Sequence, residues 1–316
     1  MRKIQMLQPD EMSFDAILAE FLTKCKVKNL SQATIKCYSD NGKILGDYMT
    51  KNSINQMDSK AFDDFVLSVQ MSHNNPITCN TIIRNVRAIL YYAMECGYID
   101  SFKIHLIKAE KKIKPTYSEA ELKTLLAKPN VKECTFSDYR TWALENYLLG
   151  TGNRISSALS LKNEDIHFDE GVIIIKRTKN RKQQIIPLSK ALASVLMDYM
   201  RIRKGKGDDY LFCNAWGEYL NVTACEHCVR RYNRKRGVEL TSLHAFRHTF
   251  AKLFLLNGGD AFRLQKMLGH SDLTVTKEYV NMFTDDLKQG FDELSPLDSI
   301  EGKKPKIEMT SKRKNK

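Results

Sequence analysis

Between Leu243 and Val280 the chain gathers His244, Arg247, His270 and Tyr279 into fewer than forty residues. One chemistry that asks for such a set is attack on a phosphodiester. Its charge, spread over non-bridging oxygens, repels nucleophiles and has to be neutralised while an attacking oxygen is held in line with the leaving one. Arginine offers a permanently charged planar fork for two oxygens, and histidine moves protons near neutral pH. A tyrosine hydroxyl, with a reference pKa of about 10, becomes a useful nucleophile only in a strongly cationic pocket. Taken singly, each of these residues more often packs than reacts, and the surrounding Leu253, Leu255, Leu256, Leu264 and Met267 read as core. His244 and His248 also stand at i and i+4, a zinc-hydrolase spacing, but Ala245 occupies the place of the glutamate in H-E-x-x-H and Arg247 would crowd a cation. No metal is expected, and His248 reads as a packing or supporting residue.

The spacing resembles the C-terminal motif of the tyrosine recombinases, the phage-integrase family. There a histidine, an arginine three residues on, a Leu-Gly-His turn and a tyrosine nine residues later share one site, and all four points hold here. A second segment, Gly150-Thr-Gly-Asn-Arg154-Ile-Ser-Ser, resembles the turn that carries the family's first catalytic arginine, which assigns that role to Arg154. Many members carry an acid three positions further on, where this chain has Ser157, so another group would have to orient the arginine. The family also places a catalytic lysine in a β-hairpin turn. Residues Gly171 to Leu188 read as such a hairpin, with VIII and QQIIPL as strands. Counting back from Ile-Pro-Leu aligns Lys179 with that lysine, while Lys176 and Lys182 compete for the role.

The 316 residues suggest about two domains. No segment resembles a signal peptide and no apolar run is long enough to span a bilayer, so a cytoplasmic, nucleoid-associated protein is expected. Eight cysteines lie mostly in helical patterns, as reduced thiols do, and Cys225-Glu-His-Cys228 lacks the second pair that a zinc site needs. The net charge of +13 suits a polyanionic partner. Its basic residues cluster at Lys103–Lys114, at Arg230–Arg236 and beyond Lys303. Separate clusters suit a protein that wraps a duplex, although each alone could be a solvated face.

Along the chain, residues 1–10 form an N-terminal extension. Residues 11–100 read as four amphipathic helices, the first capped by Ser13, the second beginning near Ser31, the third carrying Phe62, Phe65, Val66 and Val69, and the fourth carrying Ile82, Ile83, Val86, Ile89, Leu90 and Ala93 before Gly97 stops it. By helix count and position this resembles the family's core-binding domain, with Lys36, Lys43, Arg84 and Arg87 as candidate phosphate contacts. Residues 101–116 carry five lysines, Lys111 and Lys112 among the candidate contacts, and end near Pro115 as an interdomain linker. The capping box Ser118-Glu-Ala-Glu121 opens the catalytic domain, 117–296. Within it Val222 to Arg236 reads as a helix with one apolar stripe and a basic outer face, so Arg230, Arg231 and Arg234 are candidate DNA contacts. Leu287, Phe291 and Leu294 form a further stripe, and 297–316 is a basic tail.

The resemblance implies a mainly α protein with a small antiparallel sheet in the catalytic domain and a two-domain architecture that clamps DNA. It implies strand exchange at a double-stranded recombination site through a 3′-phosphotyrosine and a Holliday junction, on a DNA-bound tetramer joined through the C-terminal helix, with an accessory or partner recombinase. No cofactor is expected, since the phosphotyrosine conserves the energy of the broken bond. The compact size resembles Xer-like members and mobile-element integrases, without an arm-binding domain. The alternatives are type IB topoisomerase-like relaxation and a catalytically silent DNA-binding relic.

Overall fold

A computed structural model of the chain describes residues 12–110, 114–176 and 183–269. It divides into two compact units, Met1–Lys112 and Ile113–Lys316. The first contains α1 (Phe14–Val27), α2 (Gln32–Lys51), α3 (Ser59–Ser72) and α4 (Pro76–Glu95). Each starts at a side-chain cap that satisfies an orphan N–H: Ser13 accepts from Ala16, Ser31 from Thr34, Asp58 from Ala61 and Asn75 from Ile77. Their apolar stripes meet around Leu45, Phe65, Ile83, Val86 and Ile89, all fully buried. At Gly42 a Cβ would lie 2.6 Å from Leu18 Cδ1, so α1 approaches α2 closely enough that any larger residue there would displace the Leu18 side chain.

Part of the stretch that reads as linker packs on this core. Ile104 is buried, with Phe102, Leu106 and Ile107 against the same cluster. The Asn80 amide explains how: it donates to the Ile107 carbonyl at 2.9 Å and accepts from the Ile107 N–H at 3.0 Å. Two hydrogen bonds from a buried amide hold irregular backbone against a helix as a strand neighbour would.

The second unit is built around α6 (Phe136–Thr151), buried almost all round and in contact with α5, α8, α9 and α10. Its neighbours are α5 (Glu119–Leu126), α7 (Ile155–Leu159), α8 (Lys190–Arg203), α9 (Val222–Lys235), α10 (Leu243–Leu256) and α11 (Ala261–Leu268). The capping box at α5 forms as the sequence suggests, with Ser118 N donating to Glu121 Oε2 at 2.7 Å. Three antiparallel strands, β1 (Ile166–His167), β2 (Val172–Ile175) and β3 (Gln184–Pro187), pair in that order. The hairpin register sets Ile173 against Ile186 and Ile175 against Gln184, putting Ile173, Ile175 and Ile186 into the core. Strand β1 has no sequence signal, being two residues that pair because a 3₁₀ turn (Asn163–Asp165) delivers them beside β2. Leu253, which reads as core, is exposed; the packed side of α10 is taken by Phe246, Phe250 and Ala251.

Candidate active site

Arg154 is placed by a turn that leaves little freedom. Helix α6 ends at Gly152, a left-handed C-cap with φ of 64°. Asn153 follows, buried, its amide donating to the Tyr147 hydroxyl at 2.6 Å. Thr151 is fixed as well, its hydroxyl donating to the Tyr147 carbonyl and accepting from the Asn153 N–H. Arg154 is then the extended residue that opens α7, with its side chain half-buried. Among the described residues no side chain binds its guanidinium. Ser157 sits buried one turn on and supplies no charge, so among the described residues no acid takes the orienting place that the resemblance implies.

Arg247 lies 5% exposed on α10 and joins distant segments. Its Nη1 donates to the Gly152 carbonyl at 2.8 Å and its Nη2 to the Leu268 carbonyl at 2.9 Å. One carbonyl ends the helix before Arg154 and the other ends α11, in the Leu-Gly-His turn. A buried guanidinium keeps its charge, and donating to backbone carbonyls satisfies its N–H groups without neutralising it. His244 is exposed, one residue into α10. It lines a cleft of about 460 Å³ together with Ile155, Val222, Glu226, Arg230 and Glu239. His248, one turn further on, is half-buried, and burial followed by the charges of Lys114, His244 and Arg247 pulls its pKa down to about 4. It is neutral at physiological pH, which suits a packing residue.

Of the competing lysines, only Lys176 lies among the described residues. Its ammonium meets Glu164 Oε1 at 2.6 Å and Asp165 Oδ1 at 2.9 Å, and those carboxylates raise its pKa. A lysine tied to two acids holds its proton more tightly, which disfavours it as a proton donor. Lys179, Lys182, His270 and Tyr279 lie outside the described residues, as do Lys111, Lys112 and the stripe of Leu287, Phe291 and Leu294.

The basic face of α9 is not uniform. Arg230, Arg231 and Arg234 are all exposed. Arg230 reaches the cleft beside His244, whereas Arg231 donates to Ser137 Oγ on α6 at 3.1 Å. Glu226, one turn before Arg230 on the same face, also lines the cleft, and its i, i+4 relation to Arg230 is the signal that the sequence carries for it. In the first unit Lys36, Lys43 and Arg84 are exposed on α2 and α4, and Arg87 is half-buried over the Tyr91 ring.

Among the described residues no group of three or more His, Cys, Asp or Glu is placed to hold a metal ion, and no helix is long and apolar enough to cross a membrane. Cys225 is buried, which pushes its thiol up to about 12, and Cys228 contacts Arg140 Nη2 at 3.2 Å.

Comparison with known proteins supplies a family frame for this geometry. Residues 116–285 match the family model described as the phage integrase family. The chain is similar to tyrosine recombinase XerA of Pyrococcus horikoshii, with 26% identity over 302 residues that cover 94% of this chain and 100% of the relative. In fold it resembles XerH site-specific recombinase bound to a palindromic difH substrate, with a TM-score of 0.67 and 24% identity over 88% of this chain and 84% of that one. It also resembles a lambda integrase tetramer bound to a Holliday junction, with a TM-score of 0.66 and 15% identity over 85% and 80%.

Proposed function

This chain belongs to the phage integrase family, and from that membership we propose that it cuts and rejoins DNA at specific sites through a covalent bond to Tyr279. The Tyr279 oxygen attacks the scissile phosphorus and forms a 3′-phosphotyrosine while the bond to the 5′ oxygen breaks. Lys179 donates a proton to that leaving oxygen, and His244 takes the proton of the tyrosine. Arg154 and Arg247 hold the non-bridging oxygens, and His270 adds a hydrogen bond. Attack by a 5′ hydroxyl from a second duplex reverses the step, so neither ATP nor a metal ion is consumed.

The observation that carries this reading is the placement of Arg247. A permanently charged, buried guanidinium that holds the turn before Arg154 and the end of α11 suits a phosphate clamp, because fixed charge aimed at developing transition-state charge is usually the largest single term in catalysis. The ion-paired state of Lys176 supports Lys179 or Lys182 as the proton donor. We assign DNA contacts to both units: Lys36, Lys43, Arg84, Arg87, Lys111 and Lys112 in the first, and Arg230, Arg231 and Arg234 in the second. The relatives' solved complexes with DNA and with a four-way junction support binding to DNA and assembly on it. They also favour recombination over simple relaxation of supercoils.

The test starts from duplexes of random sequence carrying a nick, so that the fragment released on cleavage diffuses away and the protein stays trapped. The parent protein should capture one sequence as an adduct that survives denaturant, with EDTA leaving the yield unchanged. Tyr279→Phe should bind the captured sequence and form no adduct. Arg154→Ala and Arg247→Ala should each slow adduct formation by roughly a hundredfold to a thousandfold, the cost of losing one charge-stabilising group. An adduct at full yield in Tyr279→Phe, or cleavage lost to EDTA and restored by a divalent ion, would overturn the mechanism.

A further inference from the structure

The C-terminus of α11 is gripped from two sides. A helix of eight residues leaves its last four carbonyls, those of Gln265, Lys266, Met267 and Leu268, without intrahelical partners. The N–H of Gly269, the left-handed C-cap, answers Gln265 and Lys266. Arg247 Nη2 answers Leu268 at 2.9 Å. The carbonyl of Met267 is answered from the sheet: Gln184 on β3 donates through its amide nitrogen to Met267 at 2.5 Å and to Lys266 at 3.1 Å. The fit is close enough that a Cβ at Gly269 would meet Gln184 Oε1 at 3.1 Å.

We propose that Gln184 is a positioning residue for the phosphate clamp, holding the end of α11 so that the Leu268 carbonyl orients the Arg247 guanidinium. Arg247 has one carbonyl partner on α6 and one on α11. The first is anchored by the α6 core, whereas among the described residues α11 packs through Leu264, Met267 and Leu268 in a small cluster with Phe250, Ala251, Phe254 and Leu255. A small apolar contact on a two-turn helix resists sliding poorly, and the directional bonds from Gln184 fix its end against the hairpin. The strand that offers Gln184 pairs it with Ile175, whose side chain is in the core, so the amide is offered from a rigid position. A shift of the helix end moves the Leu268 carbonyl and, with it, the planar fork of the arginine.

This inference rests on reading Arg247 as the phosphate clamp, and the experiment separates the two. The full-length protein is given the captured suicide duplex in two forms, one with the natural scissile phosphate and one with a neutral methylphosphonate in its place. Gln184→Ala and Gln184→Glu should slow adduct formation on the phosphate by roughly tenfold to a hundredfold, as a misplacement of about 1 Å does. The glutamate keeps the size of the side chain but offers an acceptor to carbonyls, so it should fare no better than alanine. Duplex affinity should stay within about twofold of the parent, since the groove contacts are untouched. On the methylphosphonate, where no anionic oxygen awaits the clamp, the gap between parent and variant should close. Gln184→Arg, which restores two N–H donors, should recover most of the rate on the phosphate. If the Gln184 variants cleave at the parent rate while Arg247→Ala is slow on the phosphate and recovers on the methylphosphonate, the role of Gln184 falls and the clamp stands. An equal loss on both substrates would make Gln184 merely structural. If Arg247→Ala itself is unimpaired, or equally impaired on both substrates, the clamp reading fails first.

Discussion

A side-chain carbon at Gly152 would lie 2.3 Å from Phe250 Cδ1, closer than non-bonded carbons come. The end of α6 and the middle of α10 thus meet backbone to ring, and Gly152 also holds a left-handed φ of 64°. This contact fixes where Arg154 enters the site relative to Arg247, because Gly152 is two residues before one and a hydrogen-bond partner of the other.

Gly152→Ala should therefore be destabilising on two counts, left-handed strain and overpacking, by roughly 2–5 kcal/mol together. Both tryptophans, Trp142 and Trp216, belong to the second unit, so tryptophan fluorescence during urea unfolding reports on that unit alone. A midpoint unchanged from the parent would contradict the contact.

Glu145 lies fully buried in α6, and among the described residues neither of its carboxyl oxygens has a hydrogen-bond partner. Burial raises its pKa well above the ordinary 4.5, with Arg236 pulling weakly the other way. The unfolded chain releases this proton at the ordinary value while the native state retains it. Stability is then greatest below 4.5 and falls as pH rises toward the native pKa. Glu145→Gln should flatten the decline in the fluorescence-detected unfolding midpoint between about pH 5 and pH 8. An unaltered slope would mean that the carboxyl is solvated or paired.

His248 works in the opposite sense. Its native pKa of about 4 lies below the ordinary 6.5, so the unfolded chain takes up a proton that the native state refuses. Stability is lost as pH falls from 6.5 toward 4. Imidazole resonances should assign His248 a titration midpoint near 4. A midpoint near 6.5 would show an imidazole open to water.

The stripe of Leu287, Phe291 and Leu294 follows the proposed nucleophile closely in sequence. Its burial against a neighbouring protomer would connect assembly to the position of Tyr279. Leu287→Ala combined with Phe291→Ala should then remove a few kcal/mol of apolar contact, on the order of 3–5 kcal/mol. Binding to a single site should persist while paired-site complexes, resolved by native gel or light scattering, become scarce. Assembly and recombination equal to the parent's would return the stripe to its own protomer.

The sequence alone determined the four helices of the first unit, since their apolar stripes keep a helical period and Ser13 and Ser31 head the first two; the caps at Asp58 and Asn75 came from the structure. It also pointed to the hairpin, as two β-branched runs either side of a basic turn, and to the proposed reactive set, because His244, Arg247, His270 and Tyr279 keep the family's spacing. What the tertiary structure decided is what those residues touch. Nothing near Gln184 in the chain announces that it caps a helix 82 positions away, and nothing near Arg247 announces a carbonyl 95 positions back. Strand β1 and the bonding of the Ile107 backbone to Asn80 are equally silent. Both depend on backbone groups that every residue carries, so their partners are set by the approach of distant segments, and residue type records only that a donor was available.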